Sequence, residues 1–135
     1  MQFIKYCFAV SSFDQATKVI LECNKRKISP VIYIKHYMIK GLGIYWLKEF
    51  NHLLKKKFSK RNFNLFVDCK KDYGLFIALV ELKIRFIKVN IEKKTIKRLA
   101  QIAEKNKVLL NPKISIVDLS KIKNIEKKIN KLESN

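Results

Sequence analysis

Short, largely apolar runs alternate along the chain with longer stretches whose apolar positions recur every three or four residues. The runs are FIKYCFAV at 3–10, VIYI at 31–34, NLFVD at 64–68, RFIKV at 85–89 and KVLL at 107–110. Rich in β-branched and aromatic residues, they read as strands, VIYI as one buried on both faces. The periodic stretches between them predict helices. Ala16, Val19, Ile20 and Cys23 share one stripe; Trp46, Leu47, Phe50, Leu53 and Leu54 share another within 43–58; Ile96, Leu99, Ala100 and Ala103 form a third, and 72–82 is a shorter helix. Ser12 with Gln15 three residues on is a capping box, and Asn90 is placed to cap the helix after it. Pro30 suits the opening of a strand. The lysines of LLKKKFSKR lie near the negative end of a helix dipole, which makes them a solvated face with a structural role.

Strand and helix in alternation imply βα units around a parallel sheet. The expected fold is therefore α/β, with about five βα units and a mainly parallel sheet in a half-barrel-like or flavodoxin-like order. Residues 1–112 form a single domain. Five units are too few for an eight-stranded TIM-type barrel. Residues 113–135 are expected as a C-terminal helical extension: Ile122, Ile125, Ile129 and Leu132 recur at helical spacing with lysines between them. Such an amphipathic helix packs on the domain or on a partner, a second copy in a homodimer included. Its acidic residues and lack of aromatics weigh against a membrane-surface role.

Composition narrows the partners. The 135 residues are 48% hydrophobic, enough for one core, and 30 Lys and Arg against 11 Asp and Glu leave a formal net charge of +19. That charge attracts nucleic acid, an acidic membrane surface or a phosphorylated small molecule. Only Arg26, Arg61, Arg85 and Arg98 are arginines. The other cations are lysines, point charges without the planar fork that grips phosphate or guanine bidentately. Base-specific recognition is thus disfavoured, and the aromatics fall inside the apolar stripes, where they make no stacking platform. A compositional bias toward Lys, Ile and Asn is the plainer source of part of the charge. Cys7, Cys23 and Cys69 have no CxxC spacing, which points to reduced thiols and a cytoplasmic location. No run reaches the roughly 18 apolar residues of a membrane span, and MQFIKYCFAV is too short for a signal peptide.

Ligands of parallel α/β proteins sit beyond the carboxyl ends of the strands, where helix amino termini converge. That rule selects Ser11 and Ser12 after the first run, Lys35 and His36 after the second, Asp68, Cys69, Lys70 and Lys71 after the third, and Lys88 and Asn90 after the fourth. Lys35, Lys70 and Lys88 near helix starts suit a phosphate or carboxylate; solvated strand-end lysines are the plainer alternative. Asp68 has three readings: a general acid or base, a lysine-paired structural carboxylate, or a cap on the following helix. His36 and Cys69 are metal-ligand types on adjacent strand ends, but no third residue completes a site, so neither metal nor other cofactor is expected. A Cys–His nucleophilic pair likewise lacks an orienting third group.

Between about Ala16 and Asn90, SPVIYIKHYMIKGLGIYWLKEF followed by LFVDCKKDYGLFIALVELKIRFIKVN resembles the amino-terminal half of the class II fructose-bisphosphate aldolases. That family has a strand written Ser-Pro-Val-Ile, and its third strand ends in His-Leu-Asp-His-Gly. Phe66, Val67, Asp68, Cys69 and Lys70 stand at those five positions. The resemblance implies that Asp68 occupies the place of the proton-transfer Asp, Cys69 that of a zinc-ligating His, and Lys70 that of a Gly. The family's other metal ligands and its phosphate loop belong to later strands, so the resemblance implies a reduced, non-catalytic relative.

Three functions stand in order. The first is a non-enzymatic domain that binds a small anionic or phosphorylated ligand through Lys35, His36, Asp68, Lys70, Lys88 and Asn90. The second is a nonspecific nucleic-acid-binding protein acting through its lysine-rich surface. The third is a residual metal-dependent lyase with Asp68 as its catalytic group.

Overall fold

In the computed structural model, which describes residues 6–59 and 62–133, the order is β1 (Tyr6–Ala9), α1 (Phe13–Lys25), β2 (Val31–Ile34), α2 (His36–Leu42), α3 (Ile44–Lys57), β3 (Asn64–Lys70), α4 (Tyr73–Glu81), β4 (Phe86–Val89), α5 (Lys93–Lys105), β5 (Leu109–Leu110), β6 (Ser115–Asp118) and α6 (Ile125–Glu133). All strands are parallel, in one sheet of order β5-β4-β3-β2-β1-β6. The α/β class and the C-terminal amphipathic helix are as expected. From β1 to β5 the sheet follows chain order, as half a barrel does, and β6 lies on the far side of β1.

Local chemistry explains most boundaries. Ser12 Oγ accepts from the Gln15 N–H at 3.1 Å, while Gln15 Oε1 reaches back one residue further than a capping box requires, to the Ser11 N–H at 2.8 Å. Asp72, not Asp68, caps α4, accepting from the Leu75 N–H at 2.9 Å. Asn90 is not a cap: α5 starts after Glu92, which makes no side-chain cap bond. The segment after Ile34 turns at once into α2, and Gly43, at φ +90°, divides it from α3. Leu53, expected inward, is 41% exposed, whereas Leu47, Phe50 and Leu54 are buried. Residues 3–5 of the first run, and Lys60 and Arg61, lie outside the described residues.

The largest correction concerns residues 113–135. Part of that stretch is not helical extension: Ser115–Asp118 pairs with Tyr6–Ala9 as a sixth strand. The helix begins only at Ile125, where Asn124 Oδ1 accepts from the Lys127 N–H at 2.9 Å. It packs on α1, with Ile125 and Ile129 buried and Arg26 paired to Glu133 at 2.7 Å.

The position of β6 bends the sheet. β5 and β6 close opposite ends of the strand order, yet only residues 111–114 join them. A flat six-stranded sheet separates its edges by about 24 Å, five steps of about 4.8 Å. The chain from Leu110 to Ser115 spans at most about 18 Å when fully extended. The sheet therefore curls until its edges approach. Burial agrees with this geometry. Side chains from all six helices pack on one face, among them Ala16, Leu47, Phe76 and Leu99, against strand residues such as Ile32, Ile34, Val67 and Ile87. The other face carries Cys7, Ala9, Val31, Tyr33, Phe66 and Phe86, all buried, with no helix side chain among them. Among the described residues only Ile114, from the β5–β6 connection, packs onto this cluster. Curling makes the face concave, so its side chains cover one another: Tyr33 meets Phe66 edge-on at 5.0 Å, and Phe66 meets Phe86 at 6.3 Å.

Candidate functional site

Alternation along each strand decides which strand-end residues share a face. Tyr33, Phe66 and Phe86 are on the concave face; Asp68 and Lys88, two residues after Phe66 and Phe86, lie on it as well, at the carboxyl end. They are register partners on β3 and β4. Asp68 is held from two sides. Its Oδ2 accepts from the Tyr33 hydroxyl at 3.3 Å, and its Oδ1 from the Lys70 N–H at 3.0 Å. The second bond closes a bulge between Asp68 and Lys70, which leaves Lys70 at φ +48°, a left-handed conformation that favours glycine.

Burial, then the Asp68 charge, raises the Tyr33 phenol well above its usual value, so the hydroxyl remains a donor to the carboxylate. Burial also pushes the Cys7 thiol up to about 12, opposed in part by the positive charge of Lys88. Cys7 is on β1 and Lys88 on β4. A charge from β4 acting on β1 is what a concave face produces.

A cleft of about 520 Å³ opens here, lined by Asp68, Lys70, Lys88, Asn90, Asn111 and Ile114 among others. A second, of about 770 Å³, lies on the helix side between α2 and α4, lined by His36, Lys40, Lys70, Lys71, Asp72 and Asn90 among others. The expected site residues are thus divided. Asp68 and Lys88 belong to the concave cleft, His36 and Lys71 to the helix-side cleft, and Lys70 and Asn90 to both. Lys35 lines neither of them. Its Nζ meets Asp118 Oδ2 at 2.5 Å, at the end of β6, and sits 5.9 Å from the Tyr37 ring centroid. Lys35, first, and then the Ser120 hydroxyl and N–H hold the Asp118 carboxyl down at about 2. Ser11 and Ser12 are engaged by Gln15.

Cys69 follows the same alternation to the opposite face. It is fully buried in the helix-side core, and burial, then the Asp68 charge, raises its thiol to about 12. It lines neither cleft, so the structure does not bring it to a common cavity with His36. Among the described residues no three of His, Cys, Asp and Glu cluster as metal ligands, and no helix is long and apolar enough to cross a membrane.

Sequence reading missed Tyr33, Asn111 and Asp118. The signal for Asp118 was there: SIVD repeats the pattern of FVD at the end of β3. Asn111 accepts from the Val89 N–H through Oδ1 at 2.8 Å and donates its own N–H to Ile87 O at 2.9 Å, which fastens the closing connection to β4. No family model, curated protein or solved structure matches the chain.

Proposed function

We propose that the protein is a non-enzymatic binding domain that takes a small phosphorylated ligand in the concave cleft at the carboxyl ends of the strands. The observation that carries this is the arrangement of Asp68 with Lys70 and Lys88 around a space of about 520 Å³, within the range of small-molecule sites. The two ammonium groups supply donors for a phosphate, and Asp68, pre-oriented by Tyr33 and the Lys70 N–H, accepts from a ligand hydroxyl. Lys35 acts from outside the cleft by holding Asp118. In keeping with the resemblance to class II aldolases, Asp68 is then the retained member of a reduced site and serves as a polar anchor. Three free, buried cysteines fit a cytoplasmic setting.

The test is a thermal-shift titration with phosphorylated sugars at one ionic strength, with sulfate as the anion control and with or without zinc. Stabilisation by a sugar phosphate beyond sulfate, lost in Asp68→Asn and in Lys88→Gln, is the expected result. Equal stabilisation by every anion refutes a specific cleft and makes charge-driven nucleic-acid binding the better account. Zinc-dependent aldol cleavage abolished by Asp68→Asn replaces it with a metal-dependent lyase.

A further inference from the structure

A third cleft, of about 430 Å³, lies at the other end of the sheet, where β3 and β4 begin. Its wall includes Lys55 from α3, Lys83 and Arg85 from the α4–β4 link, and Lys105 and Lys107 from the end of α5; no Asp or Glu lines it. Lysines at helix ends have a local reason to be there, because they oppose the negative end of the dipole. Two features do not share that reason. Arg85 stands just before β4, its guanidinium 5.8 Å from the Phe86 ring centroid, without a carboxylate partner among the described residues. Asn51, on α3, is only 6% exposed, and it lines this cleft. An amide at the wall of a cleft supplies both a donor and an acceptor to whatever occupies it.

We propose that this cleft binds a small molecule carrying two or more phosphates, gripped by Lys83, Arg85, Lys105 and Lys107, with the Asn51 amide bonding to a polar group of the ligand. Lys83, Arg85, Lys105 and Lys107 around one concavity with no carboxylate in its wall match a multiply charged anion; a single monoanion leaves most of these four unneutralised. Arginine adds the bidentate geometry that lysine lacks. A volume of about 430 Å³ encloses a compact ligand and is too small to track a nucleic-acid strand over several nucleotides, as single-strand-binding grooves do.

The experiment is isothermal titration of the whole protein with tripolyphosphate at fixed ionic strength, beside sulfate and a single-stranded oligonucleotide. One tripolyphosphate per chain is expected, with affinity reduced roughly tenfold or more in Lys83→Gln/Arg85→Gln through loss of charge-assisted hydrogen bonds. The equally charge-depleted control Lys121→Gln/Lys123→Gln should fall by no more than about twofold, as loss of general attraction alone requires. Asn51→Leu should weaken binding while leaving the thermal midpoint of the free protein close to that of wild type, because it keeps the side-chain volume. Equal losses in the two double variants overturn the proposal, as does sulfate binding with the same affinity. Binding lost in Lys88→Gln but kept in Lys83→Gln/Arg85→Gln also overturns it, since the phosphates then sit at the opposite end of the sheet. An oligonucleotide that binds more tightly than tripolyphosphate and gains with length overturns the choice of a small ligand.

Discussion

Replacing Asn111 tests whether the short β5–β6 connection is fastened as described. Its side chain accepts from the half-buried Val89 N–H at 2.8 Å, and its backbone is at φ +47°. Alanine removes the acceptor and leaves that donor unpaired, at about 1–2 kcal/mol. It also places a Cβ without compensating polarity in the left-handed region, at about 1 kcal/mol more. Asn111→Ala should therefore cost about 2–3 kcal/mol, a large but ordinary loss for a broken buried bond plus backbone strain. Asn111→Gly keeps the φ angle and loses only the bond, so it should cost about 1–2 kcal/mol, including the freedom it adds to the unfolded chain. Asn111→Asp retains the acceptor and tolerates the conformation, and should stay within about 1 kcal/mol of wild type. Urea unfolding at equilibrium measures all three, provided the slope with denaturant is unchanged. If Ala and Gly both lie within about 0.5 kcal/mol of wild type, the range of substitutions that touch no such feature, the side chain does not fasten the connection.

Asp118 predicts a stability change in acid. Its folded pKa is depressed from 3.8 to about 2, chiefly by Lys35, so its contribution is present above the unfolded value and is lost as pH falls from 3.8 toward 2. With half the side chain exposed, the discounted contribution is about 1 kcal/mol. Urea midpoints of wild type and Asp118→Asn should differ at neutral pH and converge near pH 2; a constant difference across that window refutes the pairing. Thr17 Oγ1 is buried without a partner among the described residues, so Thr17→Val should raise stability by about 0.5–1 kcal/mol, and a lower urea midpoint counts against it. Lys70→Gly should relieve the left-handed backbone at φ +48° and stabilise by about 0.5–1 kcal/mol while weakening sugar-phosphate binding. A variant that binds as tightly as wild type removes Lys70 from the ligand site.

The buried strands were legible because both of their faces are covered, so VIYI and NLFVD have no polar alternation to hide them. β6 was not. It is a largely exposed strand, and Leu119 and Ile122 continue the spacing of Ile125 and Ile129 closely enough to pass for the start of the same helix. Missing β6 also hid the partner of Lys35 and the curl of the sheet, because strand order is set by pairings far apart in sequence. The site was partly legible by parity: Asp68 and Lys88 fall on one face because each lies two residues beyond an inward aromatic. The same parity sends Cys69 to the other face, against its use as a ligand beside Asp68. Tyr33 was hidden within a run that reads simply as apolar.

The closing strand also has a consequence for synthesis. The Gln15 side chain donates to Leu119 O across 104 residues of sequence, and β6 pairs with the first strand of the fold. As the chain emerges from a ribosome, the early βα units can form in turn, but β1 keeps an unpaired edge and the aromatic face stays uncovered until residue 118 is free. Such late, long-range closure slows folding. It also leaves the chain that has not yet delivered β6 as the species most open to pairing with a neighbour.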